Sequence, residues 1–221
     1  MNLTEKENEL FERWEARCQE HGEDLFVKDG SVDPDGFEKA PLRLVFVLKE
    51  AYTDESFDLR DFLRKPNLYP TMVRWIEGIL ALPRLKPWSE LDGWLNEVRR
   101  DRAVRQIVFM NVKKNGGGPS ANWKEIRSAM KRDRHFIREQ LAMYKPDVVI
   151  LCGSDIGDGL EDLYSLSDGG WARTDRGIWY CTVGGVLHVL YRHPAARDPA
   201  HMKHYGLIDA LHELNIWERR R

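Results

Sequence analysis

The chain has 221 residues, of which 42% are hydrophobic and 32% are charged, and its formal net charge is −2. This length is typical of one well-buried domain and is too short for two large ones. No apolar run reaches the roughly 18 residues that span a bilayer, and the acidic, helix-like N-terminal segment lacks the apolar core of a signal peptide. We therefore expect a cytoplasmic protein with no membrane partner.

Three cysteines occur, an odd number without C-x-x-C spacing, which argues against a disulfide framework and against a zinc or iron-sulfur site. Reduced, mostly buried thiols are expected instead. No recognised ligand spacing links the possible metal ligands His193, Asp198, His201 and His204. We predict a site without metal or cofactor.

The charges are distributed unevenly along the chain. Residues 1–62 contain 17 acidic and 8 basic side chains, whereas residues 97–138 contain 12 basic side chains and carry a net positive charge. A basic surface would suit phosphate contacts, which supply much of the affinity for nucleic acids. A solvated helix face with i,i+4 ion pairs explains the same pattern about equally well.

The first half of the chain contains one predicted strand among helices. Residues 3–22 predict an amphipathic helix, residues 30–36 are rich in turn formers, and residues 42–48 predict a strand buried on both faces. Residues 71–82 and 88–100 predict further helices.

In the second half, strands and helices alternate. Strands are predicted at 106–111, 147–153, 178–182 and 186–191, and helices from Asn122 to about Met143 and from 199 to 214. This order predicts an α/β fold, a three-layer α/β/α sandwich around a central, mainly parallel four-stranded sheet. Residues 1–221 form one predicted domain, with residues 1–40 as a helical and loop extension packed on it.

Two predicted strands end in polar signatures that should meet at the carboxyl edge of the sheet, where open α/β folds bind ligands. Asn111 ends one strand, and its amide offers the donors and acceptor that could read a pyrimidine edge. His193 follows another and is held extended by Pro194, so its imidazole could donate to an oxyanion. Taken alone, each is explained more simply, Asn111 as a loop cap and His193 as an ordinary loop histidine.

Three other features flank these positions. Gly116-Gly117-Gly118-Pro119 indicates either a phosphate contact or a flexible turn, and it is not a Walker loop because no Gly-Lys-Ser/Thr follows. Arg192 and Arg197 could clamp phosphates or could be surface charges. Residues 49–55 supply carboxylates at the same edge, of which Glu50 lies nearest the strand.

Four short motifs follow in order from about residue 42 to 212. They are Lys49-Glu50-Ala51-Tyr52, Asn111-Val112-Lys113-Lys114, Lys145-Pro146 before a strand ending at Gly153, and His193-Pro194-Ala195. In this order they resemble the uracil-DNA glycosylase superfamily, particularly the branch with the family 4 enzymes. There the matching strands end in Gly-Glu-Ala-Pro, Asn-Val-Val-Lys-Cys-Arg-Pro, and His-Pro-Ser or His-Pro-Ala. Each motif is short, and the four in order are considerably more specific than any one.

The resemblance implies a role for each matched position. Asn111 would bind the pyrimidine edge, His193 would donate to the base O2 as negative charge develops, and the Glu50-Ala51 loop would support the base and the attacking water. The predicted base-binding residues are Ala51, Tyr52, Thr53, Tyr69 and Asn111. The predicted DNA-contacting residues are Lys113, Lys114, Gly117, Gly118, Arg192 and Arg197.

Three departures from the family pattern bear on substrate and cofactor. Ala51 stands where the best-known members carry the water-activating Asp, as it also does in family 4, which leaves Glu50 or Asp54 as a weak base. Asn115 replaces a cluster cysteine of family 4, so no iron-sulfur cluster is expected. Thr53 stands where a bulky Tyr in some relatives blocks groups at pyrimidine C5.

The resemblance implies a monofunctional DNA glycosylase that flips out a pyrimidine nucleotide and hydrolyses its glycosidic bond, with uracil as the first-choice base. One alternative is a glycosylase for hydroxymethylated or glucosylated cytosine in phage DNA, acting in anti-phage defence rather than repair. A non-catalytic nucleic-acid-binding module and a metal-dependent hydrolase are further alternatives. DNA is the expected partner of a monomer.

Overall fold

The computed structural model describes residues 1–63, 70–118, 121–164 and 170–220. The helices are α1 (Leu3–Glu20), α2 (Pro34–Glu38), α3 (Leu59–Leu63), α4 (Pro70–Ala81), α5 (Trp88–Leu91), α6 (Glu97–Val104), α7 (Trp123–Arg132), α8 (Arg134–Tyr144), α9 (Ser154–Tyr164) and α10 (Ala200–Glu213), followed by a 3-10 helix, Ile216–Arg219. The strands are β1 (Val27–Lys28), β2 (Gly30–Ser31), β3 (Leu44–Leu48), β4 (Phe57–Asp58), β5 (Ile107–Asn111), β6 (Val148–Cys152), β7 (Ala172–Arg173), β8 (Trp179–Val183) and β9 (Val186–Tyr191). The chain is a mixed α/β protein, as predicted.

The central sheet has seven strands in the order β2-β5-β3-β6-β9-β8-β7. Its inner strands β5, β3, β6 and β9 are parallel neighbours, whereas β2, β8 and β7 join antiparallel. The prediction of a four-stranded sheet is therefore wrong. The edge strands β2 and β7 are two residues long, too short for alternation of apolar and polar residues to reveal them.

Both faces of the sheet are covered, which explains why its inner strands are almost entirely apolar. Along β3, Leu44, Phe46 and Leu48 pack in one hydrophobic cluster with α4, α6 and α10. Val45 and Val47 point to the other face and pack in a second cluster with α1, α7, α8 and α9. The arrangement is a helix-sheet-helix sandwich whose inner strands are buried on both sides.

Two predicted helices are divided in the structure. The helix predicted from Asn122 to Met143 breaks at Asp133, where φ is −99° and ψ is 14°. The Asp133 side chain is buried and accepts hydrogen bonds from Arg132, which also binds Glu23. The helix predicted over 88–100 ends at Leu91 and resumes after Asn96, whose side chain caps α6 by accepting from the Arg99 N–H.

The segment after β6 is rich in glycine and aspartate and forms the helix α9. Its glycines act as contact points rather than as helix breakers. A Cβ on Gly159 would lie 2.4 Å from the Met130 side chain, and one on Gly157 would lie 2.9 Å from Leu190. Glycine at these positions lets α9 approach its neighbours closely.

The strand order decides where the site can lie. Strands β5, β3, β6 and β9 run parallel in that order. The last residues of β3, β5 and β9, which are Leu48, Asn111 and Tyr191, therefore lie at the same edge of the sheet. No helix among the described residues is long and apolar enough to cross a membrane.

Candidate functional site

A cavity of about 800 Å³ opens at the carboxyl edge of the sheet. Asn111 and His193 both line it, together with residues 50–55 of the loop after β3 and with Phe109 and Gly117. The two polar strand ends predicted to face one crevice are thus brought together. A volume of this size is typical of a site for a small-molecule ligand.

A second cavity, of about 750 Å³, lies at the opposite edge and is lined by Asp147 before β6 and Val186 at the start of β9. Ligand sites of open α/β sheets lie at the carboxyl edge. The cavity with Asn111 and His193 is therefore the candidate site.

Asn111 is the last residue of β5 and is only 3% exposed. Its backbone N–H donates to the Asp29 carboxylate at 2.7 Å. Its side-chain amide lines the cavity and makes no hydrogen bond to another described residue. The amide is accessible from the cavity, so its donors and acceptor can pair with a ligand that enters there.

A buried polar network lies behind Asn111. The Lys114 ammonium donates to both oxygens of Asp29, at 2.7 and 2.6 Å, and to Gln140 at 3.0 Å. Gln140 in turn donates to Asp29 and to the hydroxyl of Tyr144. The network extends from β5 to α8 and fixes the strand end that carries Asn111.

The prediction that Lys114 contacts DNA is wrong. Lys114 is only 1% exposed, and its ammonium lies 4.7 Å from the centre of the Trp14 ring. Burial lowers the pKa of Lys114, and the neighbouring Asp29 carboxylate opposes that shift. Its three N–H donors are directed to Asp29 and Gln140 in the interior, so none is left for a phosphate.

Lys113 is also buried rather than available to DNA, which corrects its predicted role. Its ammonium donates to the Glu50 carboxylate at 2.5 Å and to the Gly116 carbonyl at 2.9 Å. Glu50 lines the cavity, and the ion pair with Lys113 holds its carboxylate in place.

The glycine-rich loop packs on the loop after β3. The Gly117 N–H donates to the Ala51 carbonyl at 2.9 Å, and Tyr52 and Gly117 form an isolated β-bridge. A Cβ on Gly117 would lie 2.1 Å from the Glu50 carboxyl carbon. The Gly117 N–H is thus already paired, and glycine at this position allows close packing, whereas Gly118 is exposed. Contact of either glycine with DNA stays a prediction.

His193 follows β9 and is partly buried in the cavity wall. The Ala195 N–H donates to its Nδ1 at 3.2 Å, which assigns the proton of the neutral ring to Nε2. Burial lowers the pKa of His193, and the nearby cations Lys49 and Lys203 lower it further. The ring is therefore a neutral donor through Nε2 near pH 7.

The other predicted base-binding residues differ in their surroundings. Tyr52 lines the cavity and is 76% exposed, so its ring is free to stack on a ligand. Ala51 and Thr53 also line the cavity, and the Thr53 hydroxyl is engaged in a local turn with Glu55. Tyr69 lies outside the described residues.

Compared with known proteins, the chain matches no protein-family model and no curated protein sequence. What this site does must be inferred from its own residues.

The two predicted arginines lie on the loop that carries His193. Arg192 is exposed and pairs with Asp198 at 2.9 Å. Arg197 is exposed and forms no ion pair with a described residue. Arg197 is therefore the better placed of the two to meet an anionic ligand.

Part of the rim of the cavity is acidic. Asp54, Glu55 and Asp61 line it and are exposed, whereas Asp58 is paired with Arg60 at 2.6 Å. A polyanion would approach most favourably from the side of Arg192 and Arg197. No cluster of three or more His, Cys, Asp or Glu among the described residues is arranged to hold a metal ion.

Three residues important to this geometry were not identified from the sequence. Asp29 holds the Asn111 backbone, Lys49 pairs with Asp155 at 2.6 Å beside His193, and Lys203 contacts the loop after His193. Each acts through a partner distant in sequence or through backbone carbonyls. Only the position of Lys49, directly after an apolar strand, carried a local signal.

Proposed function

We propose that the protein is a monofunctional DNA glycosylase that extrudes a pyrimidine nucleotide and hydrolyses its N-glycosidic bond. The observation that carries the proposal is that one cavity is lined both by the Asn111 amide, which has no hydrogen-bond partner among the described residues, and by a neutral His193 donor. An amide reads the edge of a pyrimidine, and a ring N–H aimed at O2 stabilises the departing base. Uracil is the first-choice base.

The proposed reaction is dissociative. As the C1′–N1 bond breaks, positive charge builds on the sugar and negative charge on the base, where the His193 Nε2–H donates to O2. Water then adds to C1′ and loses a proton to solvent, and the base leaves as an anion that solvent protonates. Glu50, held in place by Lys113, orients the water.

The acidic rim and the exposed arginines suggest how DNA would approach. Its phosphates would lie along Arg192 and Arg197, away from Asp54 and Glu55, and Tyr52 would stack on the extruded base.

Cleavage of a labelled oligonucleotide that contains one uracil, followed by alkali, tests the proposal. Wild type should give scission at the uracil, and His193→Ala should lower the single-turnover rate by about 10²–10³-fold, as is usual for loss of an oxyanion donor. Asn111→Ala should lower it by a similar factor. His201→Ala and Asn8→Ala, at exposed positions, serve as matched controls and should cleave like wild type.

A wild type that binds the oligonucleotide without producing abasic sites would contradict the proposal and favour a non-catalytic binding module. Activity abolished by a chelator would favour a metal-dependent hydrolase.

A second candidate, a glycosylase for hydroxymethylated or glucosylated cytosine in phage DNA, is favoured by one observation. The cavity of about 800 Å³ is much larger than a pyrimidine, and Thr53 is a small residue in its wall. The same assay on DNA with modified cytosine separates the two candidates. Scission of modified DNA alone would replace uracil as substrate and imply a role in anti-phage defence.

A further inference from the structure

Lys203 lies in the first turn of α10 and reaches into the loop that follows β9. It is only 5% exposed, and its ammonium donates to the carbonyls of Pro194 and Ala196, both at 2.7 Å. These carbonyls flank the turn that begins at His193. One side chain thus closes the loop on which the histidine stands.

The position of this ammonium is energetically unfavourable unless the loop provides compensation. A cation in the first turn of a helix opposes the helix dipole, and burial removes water from its charge. Within the described residues Lys203 forms no ion pair, since the nearby Asp198 is paired with Arg192. The two loop carbonyls are the groups that satisfy it.

The same residue is tied to the strand before the loop. The Tyr191 hydroxyl donates to the Lys203 carbonyl at 2.7 Å. A Cβ on Gly206 would lie 2.6 Å from that hydroxyl, so glycine there makes room for the contact. Lys203 therefore connects the end of β9, the loop and the start of α10.

Within the loop, the imidazole is oriented by backbone groups. The Ala195 N–H donates to Nδ1, and the Ala196 N–H donates to the His193 carbonyl at 2.9 Å. The Pro194 carbonyl belongs to the same peptide unit as the Ala195 N–H, so Lys203 fixes the donor to Nδ1, and its bond to the Ala196 carbonyl holds the far end of the turn. We propose that Lys203 is a positioning residue that aims the Nε2–H of His193 into the cavity.

Lys203 also contributes to the charge around the ring. Among the described residues, Lys49 and Lys203 are the cations that act on the His193 ring, and Lys49 is paired with Asp155. Other charged groups around it are paired as well, Glu50 of the cavity wall with Lys113 and Arg192 with Asp198. Both lysines lower the pKa of His193. Removal of the Lys203 charge should therefore raise the pKa of His193 and admit the doubly protonated ring at higher pH.

The catalytic consequence rests on the proposed glycosylase function, whereas the positioning itself does not. The test compares Lys203→Met, which removes the charge and both donors, with Lys203→Arg, which keeps the charge in another geometry. Lys131→Met, the same change at an exposed position of α7, is the control. Thermal unfolding first establishes that each variant is folded at the assay temperature.

Two readouts follow. NMR titration of the His193 ring should give a higher pKa in Lys203→Met than in wild type, and a pKa near the wild-type value in Lys203→Arg. Single-turnover cleavage of uracil DNA should slow by about 10–100-fold in Lys203→Met, the range expected when a catalytic group is misplaced by up to 1 Å, with little change in KM. Lys203→Arg should recover part of the rate.

The outcomes separate the two proposals. If the His193 pKa and the chemical shifts of the loop are unchanged in a folded Lys203→Met, the positioning role is overturned while glycosylase activity stands. If these NMR changes occur but wild type cleaves no DNA, positioning stands and the proposed function fails. A KM effect with unchanged single-turnover rate would also overturn the positioning role.

Discussion

Asn111 and His193 face the same cavity, but the chain fixes the two side chains by different means. The strand end of Asn111 is held by a buried polar network from segments far away in sequence: Asp29, 82 residues before it, accepts from its N–H, and Gln140 of α8 donates to Asp29. The loop of His193 is held by Lys203, seven to nine residues from the carbonyls that it binds. One side is fixed by long-range burial and the other by local contacts.

The difference separates stability from positioning. The network behind Asn111 joins the N-terminal segment, β5 and α8, so it forms only as the whole domain folds. The contacts of Lys203 near His193 join β9, the following loop and α10, which are consecutive along the chain. A disturbance behind Asn111 should therefore mainly lower the stability of the protein, whereas one behind His193 should mainly alter the site.

The largest effect is expected from Lys114→Met. Removal of one partner of the fully buried Asp29–Lys114 pair leaves an uncompensated carboxylate and should lower the free energy of unfolding by about 3–5 kcal/mol. Urea unfolding followed by far-UV circular dichroism measures this change. Lys131→Met, at an exposed site, should stay within about 0.5 kcal/mol of wild type.

A double variant sharpens this prediction. Asp29→Asn together with Lys114→Met removes both charges, so part of the lost stability should return relative to Lys114→Met alone. A double variant that is less stable by the sum of the two single effects would show that the ions do not act as a pair.

A smaller loss of stability is expected from Lys203→Met. It leaves two loop carbonyls without their donor and should lower the free energy of unfolding by about 1–3 kcal/mol. The same urea measurement applies. A loss as large as that of Lys114→Met would mean that the loop, too, is part of the cooperative core.

The same contrast explains which parts of the molecule could be predicted from sequence. The apolar runs that became β3, β5, β6 and β9 are buried on both faces, so their composition alone reveals them. Their order predicts that residues 111 and 193 share an edge. The position of the candidate cavity can thus be predicted from the local sequence pattern and the strand order.

What sequence missed depends on long-range partners. Lys114 looks like a surface charge because nothing near it in sequence indicates Asp29, which lies in a turn-rich segment between two-residue strands. Asp133 interrupts a helical pattern at the point where Arg132 binds both Asp133 and the distant Glu23, a tertiary contact that local propensity does not contain. Gly157 and Gly159 look like helix breakers until the side chains packed against them are known.

A modest effect is expected from Lys49→Met. Lys49 lowers the pKa of His193, so its removal should raise that pKa, measured by NMR titration of the ring. The Lys49–Asp155 pair is partly exposed, so the free energy of unfolding should fall by only about 0.2–1 kcal/mol. An unchanged pKa would mean that solvent screens Lys49 from the ring.

The smallest effect is expected from Arg197→Ala, and it tests the comparison at the surface. With Lys113 and Lys114 buried on the Asn111 side, phosphate contact should fall to the His193 side, where Arg197 is exposed and Arg192 is paired with Asp198. If Arg197 meets one phosphate, its loss should reduce the slope of log K against log salt concentration by about 1. Arg192→Ala should change the slope less, because the phosphate competes with Asp198 for that guanidinium.

Fluorescence anisotropy of a labelled duplex over a salt series measures the slopes. An unchanged slope in Arg197→Ala together with a reduced slope in Lys124→Ala, at an exposed site in the first turn of α7, would move the DNA to the Asn111 side of the cavity.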